Sequence, residues 1–217
     1  MRFRLFTALM LATLTGCQPT DSTDREAVAR QHVQSHLGHV FGSPVFLRII
    51  KETRVLELRV QEKGKWRLLK VYPIQAMSGE LGPKTAEGDR QAPEGFYATT
   101  RPLLNPHSRF HLAFNIGYPN AYDRRKGRTG SFIMVHGGDR SIGCFAMGDP
   151  AIEEIYTMVH QALQGGQEAV PIQIYPFEMT PERIAQERNS PHYEFWQYLL
   201  PGWQHTQQHG SPAPGQP

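Results

Sequence analysis

From residue 44 onward come segments whose apolar side chains recur at every second position, and that period decides what the chain can fold into. Leu56, Leu58 and Val60 alternate with Glu57, Arg59 and Gln61, and Phe110, Leu112, Phe114 and Ile116 alternate again downstream. Successive side chains on a strand point to opposite faces, so this spacing gives a sheet one buried face. A helix would scatter the same residues around its circumference. Glu62-Lys63-Gly64-Lys65 supplies a turn, and Trp66 to Tyr72 returns as the partner strand of a hairpin. Gly95 to Thr99 and the apolar run Ser131 to Val135 are further short strands, while Gly79 to Glu94 and Tyr118 to Gly130 are loops. The expected fold class is mainly β with flanking helices.

Helical spacing is confined to the flanks. A first helix is expected from Asp24 to about Val40, with Thr23 as N-cap and Glu26 completing a capping box. Val28, Leu37 and Val40 form its modest apolar face. His32, His36 and His39 share the helix, but with no adjacent acid they are expected on the surface, not around a metal. A second helix is capped by Asp149 with Pro150 at its first position. Ile152, Ile155, Tyr156, Val159 and Leu163 form one stripe, and Gly165-Gly166 stops it. Val170 to Phe177 is a last strand whose prolines suit a sheet edge. Thr180-Pro181 and Ser190-Pro191 open two short helices, with Phe195, Trp196 and Tyr198 packing back, and the Gln/Pro/Gly tail from residue 204 is expected to be disordered. The resulting organisation is 1–16 leader, 17–44 spacer and short helix, 45–177 main domain, 178–203 helical extension and 204–217 tail.

The first 16 residues read as a secretory signal: Arg2 and Arg4, then the apolar stretch Leu5 to Leu14, with no acid before Asp21. The stretch is too short to span a bilayer, which takes roughly 20 apolar residues. Leu14-Thr15-Gly16-Cys17 resembles the lipobox of bacterial lipoproteins, which implies lipidation of Cys17 and anchoring to a membrane. Gln18 follows where an Asp would resemble an inner-membrane retention signal, which in a cell with two membranes favours the periplasmic face of the outer one. With Cys17 lipidated, Cys144 is the one thiol left in an exported chain, which points to a reactive thiol or an intermolecular bridge, with a buried structural cysteine as the alternative. Loss of Arg2 and Arg4 also reduces 23 basic residues to 21 against 20 acidic ones. The short run Arg124-Arg125-Lys126 is then no footprint for nucleic acid.

The chemistry concentrates in Met134-Val135-His136-Gly137-Gly138-Asp139-Arg140-Ser141-Ile142-Gly143-Cys144. A histidine ends an apolar strand, and after seven intervening residues a Gly-Cys pair leads toward a capped helix. An imidazole near a thiol lowers its pKa from about 8.5 by taking the proton, and the thiolate is the nucleophile. Small residues beside it let a carbonyl approach the backbone and free N–H groups for an oxyanion hole. No Gly-x-Ser-x-Gly elbow is present, Gly79 to Thr85 has the wrong spacing for a phosphate loop, and Glu153-Glu154 reads as helix surface.

This segment resembles the active-site motif of the L,D-transpeptidase catalytic domain, the YkuD family, whose pattern is a strand-end His-Gly followed by Ser-His-Gly-Cys. Tyr72-Pro73-Ile74 with Ser78-Gly79, Pro93-Glu94-Gly95-Phe96-Tyr97, and Phe110-His111-Leu112 through Tyr118-Pro119-Asn120 resemble other family segments in the same order, over roughly residues 45–177. The resemblance implies a β-sandwich of mixed sheets with the site at its open end. It makes Cys144 the acylated nucleophile, His136 the base, and the Gly137 carbonyl the group that orients the imidazole. Gly143 and Cys144 N–H become oxyanion donors, and no cofactor is needed. Arg128, Arg140 and Ser141 flank the site as candidates for holding substrate. The implied substrate is a peptidoglycan stem peptide. Its acyl group would pass to an amine, forming a crosslink or attaching a protein such as a wall-bound lipoprotein. Passing it to water would make the protein a carboxypeptidase or amidase, and a silent wall-binding lipoprotein is the non-enzymatic alternative. Two departures stand out: Ile142 replaces the motif's second histidine, and the His-to-Cys interval is short, as in short-loop periplasmic members.

Overall fold

The computed structural model describes residues 22–215, so the leader and the lipobox cysteine lie outside the described residues. Two mixed sheets form the frame. The larger has the order β3-β2-β1-β9-β4, built from β1 (Val45–Ile50), β2 (Val55–Glu62), β3 (Lys65–Pro73), β4 (Gly95–Thr99) and β9 (Val170–Tyr175). The smaller has the order β5-β6-β7-β8, built from β5 (Leu104–Asn105), β6 (Ala113–Asn115), β7 (Met134–His136) and β8 (Phe145–Ala146). The β2–β3 hairpin forms where the alternation places it, with Glu62 opposite Lys65 across the turn.

Two strands depart from the sequence expectation, for one reason. β9 is interior, paired parallel with β1 and antiparallel with β4, not an edge. Pro171 is tolerated because it is the second residue of the strand, and the β1 pairing begins only at Ile172. β1 itself is buried on both faces. Val45, Leu47 and Ile49 enter the core shared with the smaller sheet and helix α3 (Asp149–Gln164), while Ile50 enters a second core beneath the C-terminal helices. A strand covered on both sides loses the polar alternation that reveals half-buried strands. On the second face Arg48 forks onto Glu57 with two bonds of 2.9 Å and lies over the Trp203 ring.

α3 buries the stripe that the sequence marks, Ile152, Ile155, Tyr156, Val159 and Leu163. Its N-cap is Gly148, not Asp149, whose carboxylate turns to the loop after His136 and accepts the Gly138 N–H at 2.8 Å. Helix α1 (Ser22–Leu37) packs on α3 through Ala29 and Val33, four residues apart, whereas Val28 stands exposed on the other side. His36 faces Glu154 at 3.4 Å.

The interval 118–130, expected as a loop, holds a helix. In α2 (Ala121–Arg125), Asn120 and Asp123 form a reciprocal capping box. After α4 (Pro181–Gln186), capped by Thr180 as expected, α5 (Tyr193–His209) closes the second core with Phe195, Trp196, Leu199 and Trp203. α5 runs past residue 204, where the sequence suggests a disordered tail. Thr206 is buried there, and its hydroxyl meets Gln173 of β9 at 3.1 Å.

Candidate active site

β7 and β8 lie side by side in parallel register, Val135 opposite Phe145 and His136 opposite Ala146. In this register Cys144, one residue before β8, falls beside Met134, two residues before His136 on the neighbouring strand, and His136 and Cys144 line a single cavity of about 460 Å³. A larger cavity of about 620 Å³ beside Tyr122 and Tyr198 contains neither residue. Convergent reactive groups, more than size, single out the smaller one.

His136 is 4% exposed, and its Nδ1 lies 2.6 Å from the carbonyl oxygen of Gly137. A carbonyl only accepts, so the proton sits on Nδ1, and Nε2 is left with the lone pair of a base. The bond needs glycine at 137. A Cβ there would meet Asp149 Oδ1 at 2.6 Å and the Phe110 carbonyl at 2.7 Å, the carbonyl that takes the Gly137 N–H. Phe110 covers the ring from one side, with centroids 4.9 Å apart. Burial pulls the His136 pKa below its ordinary 6.5, against the opposing pull of the Gly137 carbonyl.

Cys144 Sγ receives the Met134 N–H at 3.4 Å and faces the Phe132 carbonyl at 3.7 Å. Phe132 adopts a left-handed φ of 52° with its ring largely exposed, a strained placement for an aromatic residue at the lip of a cavity. Burial pushes the Cys144 thiol up, and the Met134 N–H and Lys84 charge only partly offset it. The two shifts run in opposite directions, and burial favours the neutral form of each group. Burial thus opposes the acidification expected from a neighbouring imidazole, because it penalises both charged forms.

The remaining predicted residues separate. The Gly143 N–H donates to Ser78 Oγ at 2.7 Å and does not stand open as an oxyanion donor. Ser141 donates its hydroxyl proton to the Cys144 carbonyl at 2.7 Å, holding the turn instead of facing substrate. Arg128 is not at the site: it pairs with buried Asp123 at 2.8 Å and lies over the Phe195 ring, tying the 118–130 segment to α5. Arg140 is exposed, and the arginine that lines the cavity is Arg109, with Asn105, His107 and Ser108 beside it. Nothing in the spacing around Cys144 points to these four, since β5 and its connection to β6 deliver them across the sheet. Glu153 and Glu154 are engaged with His111 and with Lys70 and Tyr72, not with each other as an acid/base pair. Among the described residues no group of three or more His, Cys, Asp or Glu gathers to hold a metal ion.

The L,D-transpeptidase catalytic domain, YkuD, matches residues 45–174. The chain belongs to the YkuD family. YafK of Escherichia coli K12, a relative only provisionally named an L,D-transpeptidase, is 42% identical over 191 residues, 88% of this chain and 76% of YafK. YafK of Escherichia coli O157:H7 matches to the same extent. Among solved structures, the helical cell shape determining protein Pgp2 of Campylobacter jejuni aligns at TM-score 0.49 and 24% identity, over 82% of this chain and 64% of Pgp2. Bd1075 of Bdellovibrio bacteriovorus aligns at TM-score 0.43 and 20% identity, over 77% and 59%. The chain thus spans under two thirds of these solved proteins. The mixed sheets and flanking helices are the YkuD arrangement expected from the sequence, with the match starting at β1 and ending in β9.

Proposed function

We propose that this protein is an exported, lipid-anchored enzyme of the YkuD family that transfers acyl groups on peptidoglycan stem peptides. In this reading Cys144 is the nucleophile and His136 the general base. What carries it is the pair's geometry: both residues line one cavity, and His136 Nδ1 is tied to the Gly137 carbonyl so that Nε2 is the basic nitrogen. As Sγ attacks the carbonyl between an L-centre and a D-centre, Nε2 takes the thiol proton. The C–N bond then breaks, and the imidazolium returns the proton to the departing amine, leaving a thioester on Cys144. Because the Gly143 N–H is engaged by Ser78, the Cys144 N–H is the oxyanion donor assigned here. An incoming amine, deprotonated by the same imidazole, takes the acyl group to form a crosslink or attach a protein.

The test is incubation of the purified protein with defined muropeptides, with products read by mass spectrometry. Two stem peptides joined with loss of a terminal D-residue support transfer. Loss of the residue alone, or scission of an existing linkage, would instead assign the site to carboxypeptidase or amidase chemistry. Cys144→Ala should form no product and no adduct with a carbapenem-type β-lactam. An adduct surviving in that variant would place the nucleophile elsewhere. Binding to wall material without any turnover would favour a silent wall-binding role.

A further inference from the structure

The hydroxyl of Ser78 links two segments: one of its bonds reaches the turn that presents Cys144, the other the loop that carries Arg90. Ser78 Oγ accepts the Gly143 N–H at 2.7 Å and gives its own proton to the Arg90 carbonyl at 2.6 Å. A hydroxyl has one proton, so the bond to Arg90 fixes which side of the oxygen faces Gly143. The residues that carry this contact are themselves held. The Ala92 N–H closes back on the Ser78 carbonyl at 3.0 Å. Gln91 bridges to Glu80 and Gly82 with its side-chain amide. Buried Lys51 gathers the carbonyls of Glu80, Gly82 and Ala92 within 3.0 Å. Gly143, at φ 92°, rests against this strap, with the Gln91 carbonyl 3.5 Å from where a Cβ would be.

We propose that Ser78 is a positioning residue for acyl transfer at Cys144, acting on the backbone N–H of Cys144. Three consecutive peptide units cross this turn. The first carries the Gly143 N–H, held by Ser78, and the third carries the Cys144 carbonyl, held by the Ser141 hydroxyl at 2.7 Å. The middle unit carries the Cys144 N–H, and its tilt is set by its two clamped neighbours. The thiol is held separately, from the opposite wall, by the Met134 N–H and the Phe132 carbonyl. Ser78 therefore governs where an oxyanion is met and leaves the nucleophile's own surroundings alone.

This role rests on the acyl-transfer reading above, and the experiment separates the two. Turnover of a stem-peptide substrate, acylation by a carbapenem-type β-lactam, and alkylation by iodoacetamide are followed in wild type, Ser78→Ala and Ser78→Thr. Both carbonyl reactions pass through an oxyanion, whereas alkylation does not. Ser78→Ala should lower kcat and the acylation rate by roughly ten- to a hundredfold, as misplacement of a preorganised donor does. Its KM should stay within about twofold and its alkylation pH profile should superimpose on wild type. Ser78→Thr, which keeps the hydroxyl, should recover most of the rate. Wild-type kcat in Ser78→Ala, alkylation slowed in step with acyl transfer, or no recovery in a folded Ser78→Thr would each overturn the role. A wild-type protein that alkylates normally yet is inert toward both carbonyl probes would overturn the acyl-transfer reading, and this role with it.

Discussion

Replacing His136 by alanine should disable acyl transfer near neutral pH while leaving simple thiol alkylation unchanged. Burial moves the imidazole pKa below 6.5, so more than about three quarters of it is neutral at pH 7 and ready to accept a proton. Burial moves the thiol the other way; with its ordinary pKa near 8.5, under about 3% is thiolate at pH 7. Without a base, acylation must wait for that minor thiolate, and a positioned base contributes roughly 10²–10⁴-fold. The variant should lose about that factor at pH 7, and the deficit should shrink about tenfold per pH unit as the free thiolate grows. The assay is the rate of β-lactam or muropeptide acylation of Cys144 between pH 6 and 10. It is run beside iodoacetamide alkylation, with thermal unfolding to verify the fold. Because burial favours the neutral form of both groups, alkylation in both proteins should rise along one curve with its midpoint above about 8.5. A wild-type midpoint near 6 that moves up in the variant would reveal a preformed thiolate–imidazolium pair, and the neutral-pair reasoning would fail.

Lys51→Met should destabilise the protein by about 3–5 kcal/mol, because it leaves the fully buried Glu94 carboxylate without its cation; thermal unfolding should drop by roughly 6–20 °C, and a change of only 1–2 °C would contradict it. Arg128→Ala should cost about 2–4 kcal/mol through buried Asp123 and the Phe195 ring, with KM unchanged. A raised KM at unaltered stability would return Arg128 to the substrate. Detergent extraction of cells with intact-mass analysis should find the chain acylated at Cys17 in the membrane fraction, and a solely soluble chain beginning elsewhere would reject the anchor.

The elements legible in the sequence are those whose signal is local. The β2–β3 hairpin shows because one face is polar, α3 because five apolar residues fall on one stripe, and His136 and Cys144 because strand-end His-Gly and Gly-Cys are short, ordered words. What stayed hidden depends on partners far along the chain. β1 lost its alternation to α5, more than 140 residues away, which covers its second face through Trp203 over Arg48. Arg128 looked like a substrate ligand from its place in a basic loop, but its partners Asp123 and Phe195 are chosen by tertiary packing. Arg109 lines the cavity from a separate connection, and Ser78 reaches Gly143 across 65 residues of sequence. The upward pull on the thiol was equally out of reach, because it comes from burial and not from the identity of a neighbour.

The Glu94 carboxylate has no exposed surface, and its second oxygen accepts the indole N–H of Trp196 at 2.8 Å, while the first holds Lys51 and the Gly82 N–H. Trp196 belongs to α5, which begins well after residue 174, where the family match ends. Excising the protein at that match would therefore strip a hydrogen-bond donor from beneath the strap that carries Ser78. It would also bare Ile50 and Phe96 to water. The recognisable sequence unit and the smallest piece able to fold and work are then different objects. In swaps between relatives, α5 should travel with the strap it props, whatever the alignment marks as the end of the domain.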